Sequence, residues 1–460
     1  MQTHFSPAQL ADPQVAESDR ILRACVHCGF CTSTCPTYLL TGDELDSPRG
    51  RIYLAKDMLE KNRPADPITV KHLDRCLTCL SCMTTCPSGV HYMHLVDHAR
   101  QHIERTYRRP LSERFMRSML AFVLPYTGRF RAALWLARMA RPFRGMLPKR
   151  MQVLLDTAAN VGRPSATPPR TSAASPPTAP QGPAAAQAAP QSHSHRIKRV
   201  ALLPGCVQPA LRPEINAATE RLLARFGVEV VVAPGTGCCG ALVHHLGREH
   251  DSMRQAKHDI DAWTREIESR GLDAIIVTAS GCGTMLKDYG FIFRSDSEYS
   301  AKAARVSHLA RDISEVLAEL LPSTAPAAMP SIQAGAQLRV AYHSACSLQH
   351  GQKLNTVAPA LLRNCGFTVL DVPEGHICCG SAGTYSMLQP EMSAKLRDRK
   401  ARNIELTKPD VIATGNIGCI TQISQATGVP IVHTVELLDW ATGGPMPEQV
   451  SKVTTAHATR

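Results

Sequence analysis

The chain has 460 residues, 44% of them apolar, with 17 cysteines and a formal net charge of +12. Its length suits two or three domains, and the absence of any run of about 18 apolar residues argues against a lone membrane-spanning helix. The charge does not describe a nucleic-acid binder, because it is local. No acid lies between Glu113 and Asp156, where Arg114, Arg117, Arg129, Arg131, Arg138, Arg141, Arg144, Lys149 and Arg150 form one docking patch. Met1 to Ala16 is polar, with neither a charged start nor an apolar core, so no secretory signal is expected. Cysteines this dense in a cytoplasmic chain point to metal ligands rather than disulfides.

A polar arm and a first helix lead to Cys25. Cys25, Cys28, Cys31 and Cys35-Pro36 read C-x2-C-x2-C-x3-C-P, and Cys76, Cys79, Cys82 and Cys86-Pro87 repeat it. This is the spacing of a two-cluster bacterial ferredoxin. Three thiolates at two-residue gaps wrap three corners of a cubane, and the fourth, turned away before Pro, serves the other cluster. Cys25, Cys28, Cys31 and Cys86 are therefore the expected ligands of one [4Fe-4S] centre, and Cys76, Cys79, Cys82 and Cys35 of a second. Structural zinc, which takes two separated pairs, fits a run of four poorly.

Between the quartets, Ser47 and Pro48 are an N-cap and first-turn pair that predicts a helix carrying Ile52, Leu54, Ala55, Met58 and Leu59. The 40 residues from Cys35 to Cys76 exceed a minimal hairpin, so residues 1–110 are expected to be a mostly helical two-cluster domain. His91, His94, His98 and His102 follow, three of them at helical spacing. No carboxylate or cysteine completes a metal site there, which favours an ordinary solvated or cluster-side face. Residues 111–162 are basic and amphipathic, broken at Pro125, and suit a membrane surface, a partner or the next domain about equally. Residues 163–197, rich in Pro and Ala and including His193 and His195, read as a disordered linker.

Beyond it, β-branched runs alternate with helices: Val200–Leu203, Val228–Val232 and Ala274–Thr278, then Arg339–Tyr342, Phe367–Val372 and Val411–Thr414. Alternation of this kind predicts two α/β units with parallel sheets, residues 198–330 and 331–445, before a tail at 446–460. Cys206, Cys238, Cys239 and Cys282 in the first answer to Cys346, Cys378, Cys379 and Cys419 in the second. The first three pairs are offset by 140 residues and the last by 137. Each Cys-Cys is followed by Gly, and the other four cysteines follow strands, where ligands gather in open sheets. One metal or cluster per unit is one reading, and buried free thiols are the other. Cys365 has no counterpart and reads as structural; His343 and His376 are either neighbours of the second set or satisfied loop histidines.

These motifs carry a resemblance. Cys-Val-His-Cys-Gly-Phe-Cys from Cys25, Ser-Pro-Arg-Gly-Arg-Ile from Ser47, Leu-Pro-Gly-Cys-Val-Gln ending at Gln208, and Gly-Asn-Ile-Gly-Cys from Gly415 resemble one family across nearly the whole chain. It comprises the iron–sulfur subunits of glycolate oxidase, anaerobic glycerol-3-phosphate dehydrogenase and heterodisulfide reductase, and the chain looks most like the glycolate oxidase branch. One departure stands out. The reductases end each repeat in C-x-x-C, whereas Cys282 is followed by Gly-Thr-Met and Cys419 by Ile-Thr-Gln, so four cysteines per unit remain for a smaller centre or zinc.

The resemblance implies an electron-transfer subunit that carries no catalytic residue for substrate oxidation. FAD-containing partner subunits would oxidise glycolate to glyoxylate, with D-lactate a second substrate. Electrons would pass through the two clusters to a quinone or other membrane acceptor, with the chain peripheral on the cytoplasmic face of the inner membrane. A glycerol-3-phosphate dehydrogenase subunit and a stand-alone redox sensor or scaffold are the rival readings. No G-x-G-x-x-G in a suitable context places a flavin on this chain.

Overall fold

The computed structural model describes residues 1–140, 197–321 and 338–451, with Pro142 and Gly145. Residues 163–196 of the expected linker, including His193 and His195, lie outside the described residues, as do the patch cations Arg141, Arg144, Lys149 and Arg150 and tail residues 452–460.

The N-terminal region is helical. Pro13–Ala24, Pro36–Thr41, Pro48–Glu60 and Pro67–Asp74 each open with a proline in the first turn, where its missing N–H is no loss and its φ is already helical. Asp12, Ser47 and Asp66 accept from first-turn amides as N-caps. These helices pack against Tyr92–Thr106 through Leu22, Met58, Leu73, Leu95, Val96 and Ile103, all buried.

Two α/β units follow. The first sheet contains β1 (Arg199–Leu202), β2 (Glu229–Val231), β3 (Ala274–Val277) and β4 (Ala310–Asp312); the second contains β5 (Arg339–Tyr342), β6 (Thr368–Leu370), β7 (Val411–Thr414) and β8 (Ile431–His433). Their orders are β2-β1-β3-β4 and β6-β5-β7-β8, every pairing parallel. The fourth strand of each sheet was not expected. Ala-Arg-Asp in β4 has no β-branched residue, and both strands are only three residues long. Pairing to β3, not local propensity, makes β4 a strand, whereas Ile431 and Val432 of β8 are good strand formers in a run too short to stand out.

A single core runs through both units, joining Val200, Leu202 and Ile276 to Val340, Ile412 and Val432. Arg221 and Arg225, on the Glu214–Arg225 helix, each reach the buried Asp439 carboxylate of the second unit at 2.6 Å. The N-terminal domain sits on both units. His94 Nε2 lies 2.9 Å from Asp288 and its ring stacks on Phe291, while Tyr385 Oη donates to the Arg75 carbonyl at 3.1 Å.

The histidine face of Tyr92–Thr106 is thus a packed seam and not a solvated one. His98 bonds Ser18, His102 bonds the Arg63 carbonyl, and both are buried. The described part of the basic amphipathic segment forms two helices, Leu111–Val123 and Thr127–Met139. It serves both alternatives at once. Arg117 binds Asp74 and Thr127 caps the Cys206 carbonyl, whereas Phe115, Phe122, Trp135 and Leu136 face solvent.

Candidate metal centres

The two cysteine quartets are curled by the same backbone device. In the first, His27 and Gly29 have positive φ; in the second, Thr78 and Leu80 occupy the same stations with φ of 51° and 63°. A left-handed residue on either side of the second cysteine turns the chain back on itself, so that three sulfurs face one hollow. For Thr78 and Leu80 this costs on the order of 1–2 kcal/mol each.

The result is a pair of hollows. One is lined by Cys25, Cys28, Cys31, Cys82 and Cys86. The other is lined by Cys35, Cys76, Cys79 and Cys82, so that Cys82 borders both. Cys86 of the second quartet thus lines the hollow of the first, and Cys35 of the first lines that of the second. Burial and neighbouring thiolates push Cys31 up to about 11, and Cys79 and Cys82 well above the ordinary value. These three thiols resist ionising without a cation beside them. The donor set and its lining fit an iron–sulfur centre.

Arg51 ties the quartets together, and spacing alone did not single it out. Fully buried, it donates to the His72 carbonyl at 2.7 Å and to Thr37 Oγ1 at 2.9 Å, and its guanidinium lies 3.8 Å from Cys35 Sγ. Asp46, also fully buried, binds His72 Nδ1 at 2.8 Å and Arg75 at 2.7 Å. A cation beside Cys35 and Cys76 offsets the charge of a thiolate-held cluster. The available signal was Ser-Pro-Arg-Gly-Arg itself: two arginines in the first turn of a helix between the quartets, of which Arg49 pairs with Glu44 at the surface and Arg51 turns inward to Asp46 and Cys35.

In each α/β unit the cysteines meet where the strand order reverses. The chain leaves β1 toward β2 on one side and returns to β3 on the other, opening a crevice at their carboxyl ends. Cys206 follows β1 and Cys282 follows β3; Cys346 and Cys419 repeat this after β5 and β7. Cys238 and Cys239 arrive after β2, and Cys378 and Cys379 after β6. Gly240 and Gly380 end each Cys-Cys turn at φ 85° and 87°. A Cβ at Gly380 would stand 2.6 Å from the Ser393 carbonyl and at Gly240 2.9 Å from that of Ser252, so only glycine lets the turn lie on the next helix.

The sulfurs converge. Cys346 Sγ lies 3.8 Å from Cys378 Sγ, and Cys379 Sγ 3.4 Å from Cys419 Sγ. In the first unit Cys238 pairs with Cys206 and Cys239, and Cys239 with Cys282; the Cys206 and Cys239 thiols and the Gly240 amide hold Cys238 well below its ordinary value. His343 is buried beside Cys379 and Cys419, and burial lowers it to about 3, so the imidazole is neutral. It is not a satisfied loop histidine, because its Nε2 has no partner. The His376 ring makes no such approach; its carbonyl accepts from His350 Nε2 at 3.0 Å. Cys365 packs against the shared core.

The second hollow and the second unit meet. Leu77, Cys79, Ile377, Cys378 and Tyr385 form one buried cluster, with Cys346 packed against it. Among the described residues, Cys239 and Cys282 instead pack with Trp263, Tyr289 and Phe293 of their own unit.

Comparison with known proteins agrees with this architecture. Residues 21–90 match a 4Fe-4S dicluster domain, and residues 200–287 and 340–424 each match the cysteine-rich CCG domain. The glycolate oxidase iron–sulfur subunit of Escherichia coli K12 is 43% identical, covering 96% of this chain and 99% of that protein. The chain belongs to the glycolate oxidase iron–sulfur subunit family. The probable glycolate oxidase iron–sulfur subunit of Bacillus subtilis 168 is 32% identical over 91% of the chain and 94% of its own length. Lactate utilization protein A of a Geobacillus strain is 25% identical over 52% of the chain. As a family member, the chain is an oxidoreductase subunit with a dicluster domain and two CCG units. No helix among its described residues is long and apolar enough to cross a membrane.

Proposed function

We propose that this chain is the electron-transfer subunit of a glycolate dehydrogenase complex. Cys25, Cys28, Cys31 and Cys86 hold one [4Fe-4S] cluster and Cys35, Cys76, Cys79 and Cys82 the other. Cys206, Cys238, Cys239 and Cys282, and Cys346, Cys378, Cys379 and Cys419, each hold a further metal or cluster. When bound, these centres supply one-electron transfer, and the protein's share is to space them, exclude water and balance their charge.

The observation that carries the reading is the buried cluster joining Cys79 to Cys346 and Cys378. A purely structural centre has no need to abut a second sulfur site across a domain boundary. At the opposite end Cys28 is exposed, rimmed by exposed Val26, Phe30 and Tyr53, which suits approach by a partner. FAD-bearing partner subunits oxidise glycolate to glyoxylate, and D-lactate enters as a second substrate on the strength of the lactate-utilization relative. The acceptor is a quinone-level carrier, reached with the chain peripheral on the membrane through its exposed Phe115, Phe122 and Trp135.

The test is anaerobic purification with co-eluting partners, followed by absorbance near ~400 nm, where thiolate-bound clusters absorb. Glycolate should bleach it in the presence of a flavin-containing partner. Bleaching by glycerol 3-phosphate alone would reassign the substrate. Bleaching only by dithionite, with no flavoprotein present, would favour a stand-alone redox protein.

A further inference from the structure

We propose that His343 is a ligand, through Nε2, of the metal centre in the second cysteine-rich unit, giving that unit a mixed thiolate–imidazole donor set which the first lacks. This rests on the reading of Cys346, Cys378, Cys379 and Cys419 as metal-holding.

The geometry carries it. A ring nitrogen of His343 and the sulfurs of Cys379 and Cys419 all lie within 4.8 Å of one another, and all three residues are buried. Tetrahedral zinc, with Zn–S of about 2.3 Å and Zn–N of about 2.0 Å, holds such donors roughly 3.5–3.8 Å apart, within about 1 Å of where these atoms stand. The His343 side chain is nine-tenths buried or more, at 2% residue exposure, yet its Nε2 finds no hydrogen-bond partner. A buried ring nitrogen left unpaired is destabilising. An ion at this position removes that cost. Imidazole beside thiolates is a donor set that zinc and iron both accept.

The repeat supplies the control. His343 follows β5 and donates its amide to the Ala413 carbonyl at 2.8 Å; Leu203 follows β1 and donates to the Ile276 carbonyl at 3.0 Å. The backbone station is the same, but one unit carries a donor there and the other a hydrocarbon. Lys400 adds to the difference. Its buried ammonium faces Cys378, Cys379 and Cys419, whereas the residue seven past Ser252, matching Lys400 seven past Ser393, is Asp259.

The experiment uses the full chain, purified anaerobically after growth with ¹⁵N-histidine, as wild type and as His343→Leu, the residue the first unit tolerates. Iron and zinc are counted. Directly bound nitrogen is read by pulsed electron paramagnetic resonance for an iron centre, or by zinc-edge X-ray absorption for zinc. The expected result is metal beyond the roughly eight irons of the ferredoxin pair and one histidine nitrogen coordinated in wild type. Both are lost in His343→Leu, while the ferredoxin signals stay. Should the variant misfold, the wild-type spectrum decides alone. Metal present in the second unit with no bound nitrogen, or unaffected by His343→Leu, overturns the ligand assignment. If wild type holds no metal beyond those irons, the reading of the second unit falls first and this inference with it.

Discussion

The two cysteine-rich units share a scaffold and differ around the sulfur. Both place cysteines after the two central strands, and both end a Cys-Cys turn in a left-handed glycine pressed on a serine carbonyl. Yet where the first has Leu203, Asp259 and Asp312, the second has His343, Lys400 and His433. Among the described residues, only the second packs its cysteines against a ferredoxin-type cysteine. The features fixed by backbone geometry are duplicated, and the groups that set charge and ligation are not. That packing supports the proposed reading of the second unit as the continuation of the cluster pair, with the first a different kind of site.

Serine substitution gives the largest separation. Cys379→Ser should remove the second unit's centre and, with it, transfer onward to the acceptor, leaving bleaching of the ferredoxin clusters by substrate intact. Cys239→Ser should remove metal from the first unit and spare that transfer. Metal analysis combined with quinone-coupled turnover reads both. Equal loss of turnover in the two variants would erase the functional distinction between the units.

Lys400 offers a smaller and graded test. Its ammonium donates to the Glu374 carbonyl at 2.8 Å and to the Gly375 carbonyl at 3.4 Å. Lys400→Met takes this donor from the Gly375 carbonyl, while the Glu374 carbonyl keeps the Ile377 amide at 3.0 Å, for about 1–3 kcal/mol of stability. It also withdraws a cation from an anionic centre, so the potential of that centre should fall, by about 60 mV for each ~1.4 kcal/mol of attraction lost. Redox titration of the variant checks the sign. An unchanged or raised potential would mean that Lys400 serves packing alone.

Much of this was legible in the sequence because cysteine spacing is a geometric statement. The exchange of Cys35 and Cys86 between hollows follows from one extra residue and a proline, and the repeat offset placed eight further thiols without any knowledge of the sheets. What was not legible depended on the third dimension. Arg51 and Asp46 meet only when the Pro48–Glu60 helix packs between the quartets. The histidines of Tyr92–Thr106 look solvated until Asp288, Ser18 and the Arg63 carbonyl are brought to them. β4 exists because β3 offers it a ladder. His343 was noticed, but its unpaired nitrogen cannot be read from Tyr-His-Ser-Ala-Cys.

The finest contrast between the units is in proton linkage. Asp312 and His433 end the fourth strands and are both buried N-caps with a glutamate three residues on, Glu315 and Glu436. Burial raises Asp312 from 3.8 to about 6, so its contribution to stability is complete below about 3.8 and is lost as pH rises through about 6. Burial lowers His433 from 6.5 to about 4, so its contribution is complete above about 6.5 and is lost as pH falls through about 4. The hydrogen bonds explain the second case. His433 Nδ1 accepts from the Val435 amide at 3.1 Å and Nε2 donates to the Thr278 carbonyl at 2.8 Å, which leaves no acceptor for a second ring proton. Each shift corresponds to about 3 kcal/mol, and between about pH 4 and 6 the two slopes oppose and largely cancel. Asp312→Asn, which keeps an N-cap, should therefore unmask a rise in stability with pH of about 1.4 kcal/mol per unit over that window. His433→Asn should unmask a fall of the same size. Unfolding measured anaerobically across pH and taken as the difference from wild type cancels the contributions of other buried histidines, such as His98 and His245, which burial lowers to about 4. Difference slopes of the same sign would show that the two caps do not titrate as a matched and opposite pair.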